Sequence, residues 1–544
     1  MTARHHADFA GIGRRRFLDT LGAAALVVGT SGILTPRPAR ARPGRRFVIR
    51  EDRFGRMFPD LPPFAEASPV LEAALRDIGK PGGILDAGDD LSQGPVALIA
   101  DPALNVNNPN NPTHTAGVTF MGQFMDHDMT FDLASRLGVP TPPEESANSR
   151  TPALDLDSVY GGGPLADPEL YRRAGRQHPT KFRIESGGLF EDLPRDATNA
   201  AIIADPRNDE NLVIGGLHAA FLCFHNALVE ALVADDRRLG AEEVFRRARQ
   251  LTTWHYQWMI VHEFLPRFVG PPMVDDILRH GRKFYRPHAA QIPVEFQGAA
   301  YRFGHSMVRP SYRANLAGDV DATGQPAPFF AMLFDGVQEG RTDPDDLRGG
   351  CRARRRFIGW QTFFDFGTTP RPGGQTGSLG EDVKPNKLID ARLSTPLFDL
   401  PLGAIASGDP PTSLAQRNLL RGVTWQLPSG QSIARAMHVP ALSRADLSEL
   451  GAYGRRLRLD ASTPLWYYVL KEAQLVSAGQ HLGPVGGRIV GEVIIGLLEL
   501  DRESYLRVPR WRPTLPTASG RVTGDFRMVD FLTFAGVDPT SRGQ

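Results

Sequence analysis

Gly122-Gln123-Phe124-Met125-Asp126-His127-Asp128 is the stretch from which the fold is read. It lies in an apolar segment, residues 118–133, whose pattern predicts a helix. Four residues apart on a helix, Gln123 and His127 share a face, with Asp126 at its edge. Asp128 points roughly 100° further round. Polar groups on an apolar helix need partners, because unpaired burial is costly. A histidine among them can move protons near neutral pH. The stretch alone also suits a hydrogen-bonded core or surface histidine, so both readings stand at this point.

Working outward, the same periodicity predicts further helices. A short one falls at 71–78. Strong ones fall at 212–233 and at 241–268, the latter opening on Glu242-Glu243. Residues 292–307 read as helical, as do 411–420, 443–450, 464–475 and 487–500. Strand signals are few and short, and residues 105–112 form a turn-rich break. The fold class is therefore mainly α, in one large domain with long loops and little β. Loops of that length are often functional.

The 544 residues are 41% hydrophobic and 23% charged, an ordinary globular balance. Lys+Arg is 62 against Asp+Glu 61, which gives no sign of a nucleic-acid or polybasic membrane partner. Two cysteines, Cys223 and Cys351, cannot build a disulfide framework. One bridge between them stays open, although Cys223 sits in an apolar helical pattern that suits a buried thiol. The Arg352–Arg356 run reads as a solvated face, and His218, His225, His255 and His262 read as structural.

Four more constellations carry candidate chemistry. In Thr151-Pro152-Ala153-Leu154-Asp155-Leu156-Asp157, alternate positions can each offer an oxygen, Ala153 through its carbonyl only. With Asp128 added, three carboxylates are available, and calcium takes six to eight oxygens. A solvated acidic loop is the plain alternative. In Asp205-Pro206-Arg207-Asn208-Asp209-Glu210, Arg207 and Glu210 are three apart and can face one site. Ala300-Tyr301-Arg302-Phe303-Gly304-His305 is an aromatic-flanked histidine, and Gln416-Arg417-Asn418-Leu419-Leu420-Arg421 holds a polar asparagine in a helical run. Each alone suits a surface or core role.

Their order and spacing together resemble the animal haem peroxidase superfamily, from about residue 115 to about residue 500. The resemblance implies a helical domain of that type over 115–544, with an irregular N-terminal extension at 42–114. It implies haem b, with His305 as the iron ligand and Asn418 accepting a hydrogen bond from the other imidazole nitrogen. His127 is then the distal acid/base, Arg207 the distal cation and Gln123 a shaper of the distal site. Arg302 lies at the cofactor. Asp126 and Glu210 match positions where vertebrate members ester-link the haem, which leaves one or two covalent links open. Asn211 stands where some members carry a methionine joined to the haem, so that link is not expected. Asp128, Thr151, Ala153, Asp155 and Asp157 match a calcium loop.

The implied activity is reduction of hydrogen peroxide with oxidation of organic donors or of halides and thiocyanate. Fatty-acid dioxygenase relatives place a radical-forming tyrosine three residues before the proximal histidine. Here that place is Arg302, which favours the peroxidase reading. An exported calcium-binding or adhesion protein is the non-enzymatic alternative.

At the start of the chain, Arg14-Arg15-Arg16-Phe17-Leu18 precedes an apolar run and Ala39-Arg40-Ala41. This pattern predicts a twin-arginine signal over residues 1–41, hence the Tat machinery as a partner and a periplasmic or secreted destination. The apolar run is short for a membrane span, and no other span is expected. The oligomeric state is left open.

Overall fold

The computed structural model describes residues 52–133, 135–172, 180–186, 190–367, 383–405 and 407–537. The predicted signal over 1–41 lies outside the described residues. Helix accounts for 45% of the described residues and strand for 9%, so the class is mainly α.

Helix α1, Pro69–Ile78, starts where Ser68 accepts a hydrogen bond from the Leu71 amide at 3.2 Å, with proline at the first helical position. Its buried Leu71, Leu75 and Ile78 join the same core as the rest of the domain. Strand β1, Asn110–Thr115, pairs antiparallel with β2, Pro385–Lys387. All four described sheets have two strands.

The central helix α2, Ala116–Met129, follows β1 directly. It is buried along its whole length except at Gln123 and Asp126. The helix stops four residues before its predicted end because Thr130 is extended (φ −140°) and its hydroxyl bonds back to the Asp126 carbonyl at 3.2 Å. Helix α3, Leu212–Asp235, is capped by the Asn211 side chain on the Ile214 amide at 3.0 Å. It is long and apolar enough to cross a membrane, yet most of its apolar stretch is buried in the core. Phe221 of α3 stacks on Phe124 of α2, with centroids 4.7 Å apart and planes 2° apart. Helix α4, Ala241–Met259, packs along α3 and runs on through a π-helical turn, Ile260–Phe264, into Leu265–Phe268.

The predicted helix over 292–307 is broken. Helix α5, Val294–Gln297, ends at Gly298, where an added Cβ would lie 2.7 Å from the Val294 carbonyl and 2.9 Å from the Trp425 ring. Ala299 then leaves the helical region (φ −145°, ψ −69°), and Ala300–Met307 winds as a 3₁₀ segment. That tighter winding spaces its side chains about three to the turn. The Tyr301 hydroxyl donates to the Gly122 carbonyl at 2.9 Å, which pins the segment to α2.

Helices α6, Leu414–Thr424, α7, Leu465–Val476, and α8, Pro484–Leu500, close the core around this segment. The indole of Trp466 on α7 donates to the Arg302 carbonyl at 3.1 Å. Of the predicted helix 443–450, only a short turn, Ser448–Leu450, forms. The arginine run at 352–356 is not a solvated face. Arg356 is buried and donates to the carbonyls of Pro344 at 2.6 Å and Asp346 at 2.8 Å, tying two loops together. Cys223 and Cys351 are not bridged.

Candidate active site

Five predicted residues meet on one side of α2. The Gln123 amide hydrogen-bonds to the Glu210 carboxylate, and Glu210 Oε1 lies 3.6 Å from His127 Nε2. Arg207 Nη2 donates to the His127 carbonyl at 2.9 Å. Asp126 shares the field of Arg207. The turn that carries Arg207 and Glu210, Pro206–Asp209, begins with Asp205 accepting from the Arg207 amide at 2.9 Å.

His127 is 4% exposed, and its Nδ1 lies 2.9 Å from Asn208 Oδ1. The Asn208 Nδ2 is 2.9 Å from His218 Nδ1 and 3.4 Å from the Ser158 carbonyl. An amide nitrogen only donates, so Asn208 Oδ1 is left to accept from His127 Nδ1–H. The proton-free nitrogen of His127 is then Nε2, on the side of Glu210 and Gln123. Burial, together with Arg207, lowers the His127 pKa to about 3, which keeps the ring neutral and Nε2 unprotonated.

Asp205 is completely buried between two arginines. It accepts from Arg150 Nε at 2.7 Å and from Arg207 Nη2 at 2.8 Å. Burial opposes its charge, but Arg207 and Arg150 outweigh burial and hold the carboxyl well below its ordinary range. The Arg207 guanidinium also sits 4.0 Å over the Phe131 ring. Its orientation is thus fixed from below, and Nη1 donates to no described residue. Burial pushes Glu210 up to about 8, helped by Asp205 and Asp126 and opposed by Arg207. Burial likewise raises Asp126, against Arg207 and Arg302.

Three more predicted residues meet on the 3₁₀ segment and α6. Asn418 Nδ2 lies 2.8 Å from His305 Nδ1. Arg302 Nη1 donates to Asn418 Oδ1 at 3.1 Å, and Arg302 Nε to the Gln297 carbonyl at 2.7 Å. This corrects one expectation: Asn418 does not accept from His305 here, because an arginine, which can only donate, occupies its oxygen. Burial and Arg302 lower the His305 pKa to about 3, so the ring is neutral. His305 Nε2 bonds to no described residue.

These two groups are linked electrostatically through Asp126. Within the buried α2, only Gln123 and Asp126 keep accessible surface. Within 300–307, only Arg302, Gly304 and His305 do. Asp126 feels Arg207 on one side and Arg302 on the other. With Asn418 Nδ2 donating to Nδ1, the proton of the neutral His305 ring sits on Nε2; an iron at Nε2 requires the Asn418 amide to turn its oxygen to Nδ1 instead. Arg302 has only neutral acceptors, and Arg421 adds a second guanidinium in its field. Arg302 fits the carboxylates a haem carries, whereas Arg421 is already paired with Asp132 at 2.8 Å.

Arg421 and Asn208 had no role assigned from sequence. Arg421 lies three residues after Asn418 on a helix, which was the available signal. Asn208 is simply the neighbour of Arg207, and nothing in the chain order points to its bond with His127.

The predicted cation loop also assembles. Asp128, Asp155 and Asp157 can each bring a carboxylate oxygen within 4.8 Å of the others. Asp157 Oδ2 accepts from the Thr151 amide and hydroxyl, both at 3.0 Å. Asp157 Oδ1 is buried without a hydrogen-bond partner, with the Arg150 guanidinium 3.7 Å away. The Ala153 amide donates to the Thr151 carbonyl at 2.7 Å, so Ala153 lies within the same turn. Burial, then Asp155 and Asp157, raise Asp128 well above its ordinary value. Three crowded carboxylates with one orphaned oxygen fit a hard cation.

The animal haem peroxidase family model matches residues 134–335, a span that includes Arg207 and His305. Thyroid peroxidase of Canis lupus familiaris is 24% identical over 66% of this chain and 38% of its own length. The chain thus spans well under half of that relative. Among solved structures, peroxidase A of Dictyostelium discoideum superposes with a TM-score of 0.53 at 17% identity, over 83% of this chain and 88% of that one. The fatty acid alpha-dioxygenase of Oryza sativa gives 0.50 at 14% identity, over 84% and 83%. Both likenesses concern the fold. The family match takes in His305 and Arg207 and begins after His127, so the chain is similar to animal haem peroxidases over that span.

Proposed function

We propose that this chain is a haem peroxidase that reduces hydrogen peroxide and oxidises small organic donors or halides. The observation that carries the reading is the orientation of His127, whose Nδ1 is committed to Asn208 and whose Nε2 is the free base. His305 would hold the iron, and Arg302 would face the haem carboxylates. Asp126 and Glu210 are the candidates for ester links. Haem, when bound, supplies the oxidising chemistry.

The chain's own residues handle the proton and the charge. His127 Nε2 takes a proton from one oxygen of hydrogen peroxide and hands it to the other. Arg207, locked by Asp205 and the His127 carbonyl, sets a fixed positive charge beside the departing oxygen. Gln123 and Glu210 bracket the space where that oxygen sits. Asp128, Asp155, Asp157, Thr151 and the Ala153 carbonyl would bind calcium directly after His127 in sequence, and so fix the end of α2. The residues 1–41 are proposed as the export signal for a periplasmic or secreted enzyme.

A guaiacol assay with hydrogen peroxide tests the reading. Wild type should turn over, and His127→Ala should lose about 100- to 10,000-fold while still binding haem. Undiminished turnover in His127→Ala would remove His127 from the mechanism.

A further inference from the structure

On the outer side of α4 lies an aromatic cluster that the peroxide chemistry does not use. Three of the chain's six tryptophans are in it. The His262 ring stacks on Trp258 with centroids 3.8 Å apart and planes at 26°. The Tyr505 hydroxyl lies 3.2 Å from His262 Nε2, and its ring is 5.6 Å from Trp258. Trp511 is 6.0 Å from Trp258 and 5.6 Å from Tyr505. Trp254 is 5.2 Å from Trp511, and both keep part of their surface exposed. Tyr505 is 4% and Trp258 5% exposed. The rings therefore form a continuous series from the interior to the surface.

Its inner end lies on the π-helical turn that touches α2 through Phe264. His262 is in the π-helical turn, two residues before Phe264. The Phe264 ring lies 3.1 Å from where a Cβ on Gly122 would sit, and 6.5 Å from the Tyr301 ring. The π-helical turn itself therefore separates the Tyr505–His262 pair from α2, a span of at least one helix diameter, roughly 10 Å.

We propose that Tyr505, His262, Trp258, Trp511 and Trp254 form a second oxidation site, an electron relay by which donors too large for the distal site are oxidised at the exposed edge of Trp254. This rests on the peroxidase reading, with hydrogen peroxide as the oxidant. Tyr505 gives one electron to the peroxide-oxidised centre, and its phenolic proton moves to His262 Nε2. A neutral phenoxyl radical and an imidazolium remain. A donor at Trp254 then returns one electron through Trp511 and Trp258, the proton goes back to the Tyr505 oxygen, and the donor leaves one electron poorer. Two such cycles consume one peroxide, which takes up two protons and leaves as two waters.

The surroundings suit these roles. Burial, with Arg512, lowers the His262 pKa to about 4 against the pull of Asp525, so its Nε2 is free to accept. The Asp525 carboxylate takes the Trp258 indole N–H at 3.2 Å and favours loss of an electron there, while Arg512, 5.9 Å over the same ring, opposes it.

The test uses the full chain loaded with haem b. Freeze-quench electron paramagnetic resonance after one equivalent of peroxide should show a tyrosyl signal in wild type that Tyr505→Phe abolishes. Reduced cytochrome c should be oxidised at least tenfold more slowly by Trp254→Phe and by Tyr505→Phe, with guaiacol turnover unchanged. A signal that survives Tyr505→Phe, or equal cytochrome c rates in all three proteins, would overturn the relay and leave the peroxidase reading intact. Wild type that oxidises neither donor would overturn both.

Discussion

Asn208 holds His127 Nδ1 at 2.9 Å through its side-chain oxygen, and so decides which nitrogen of the ring is basic. Replacing it with leucine removes that control without touching the reacting atoms. Asn208→Leu should lower peroxide turnover about tenfold or more and shift its pH profile. Asn208→Ser, which keeps an acceptor, should recover part of the loss. An unchanged pH profile in Asn208→Leu would show that the tautomer of His127 is set by something else.

Gly349 makes a very close approach to the turn that bears Arg207 and Glu210. Its amide donates to the Glu210 carbonyl at 3.0 Å, and an added Cβ would collide with the Asp209 carbonyl oxygen. Gly349→Ala must therefore displace Asp209 and its neighbours. The expected result is a lower unfolding temperature together with weakened peroxide reactivity, read by calorimetry and stopped flow. A variant with wild-type values in both would mean that the loop moves freely away.

Calcium should stabilise the fold. A cation held by Asp128, Asp155 and Asp157 binds only the folded chain, and at a hundredfold excess over its dissociation constant it adds about 2.7 kcal/mol. Treatment with EGTA should lower the unfolding temperature, and added calcium should restore it. Asp157→Asn should blunt both changes. An unfolding temperature indifferent to EGTA in wild type would argue against a bound cation.

Lys387 gives stability a pH dependence. It is completely buried, and its Nζ donates to the Asn105 side chain and, at 2.6 Å, to the Asn108 carbonyl. Burial, then Arg309, lowers its pKa from 10.5 to about 6, against Asp89. Between those values the unfolded chain holds the extra proton, so stability rises with pH by up to about 1.4 kcal/mol per unit. Urea unfolding at pH 7 and pH 9 should show a smaller rise in Lys387→Met than in wild type. Equal rises would mean that Lys387 keeps its charge inside the fold.

Much of this was legible in the chain. The helices at 212–235 and 241–268 follow from their apolar periodicity, because both bury a continuous stripe. The polar residues of the site lie in short blocks whose order could be read directly. What could not be read depends on the tertiary structure. The chain at Gly298 packs against the Trp425 ring, 127 residues later, and Arg356 is held by carbonyls of a neighbouring loop. The hydrogen-bond direction at Asn418 is set by Arg302, and the role of Asn208 by a histidine 81 residues earlier. The aromatic series unites residues 254–262 with 505–511, which no local pattern connects.

The most direct measurement is the absorption spectrum of the purified protein, before and after dithionite. Bound haem should give a Soret band that shifts on reduction, and His305→Ala should lose it or bind haem far more weakly. Acidic acetone then reports on Asp126 and Glu210: haem that stays with the protein supports ester links, and haem that comes free leaves the cofactor non-covalent. Absence of a Soret band after expression with added haem would contradict the peroxidase reading.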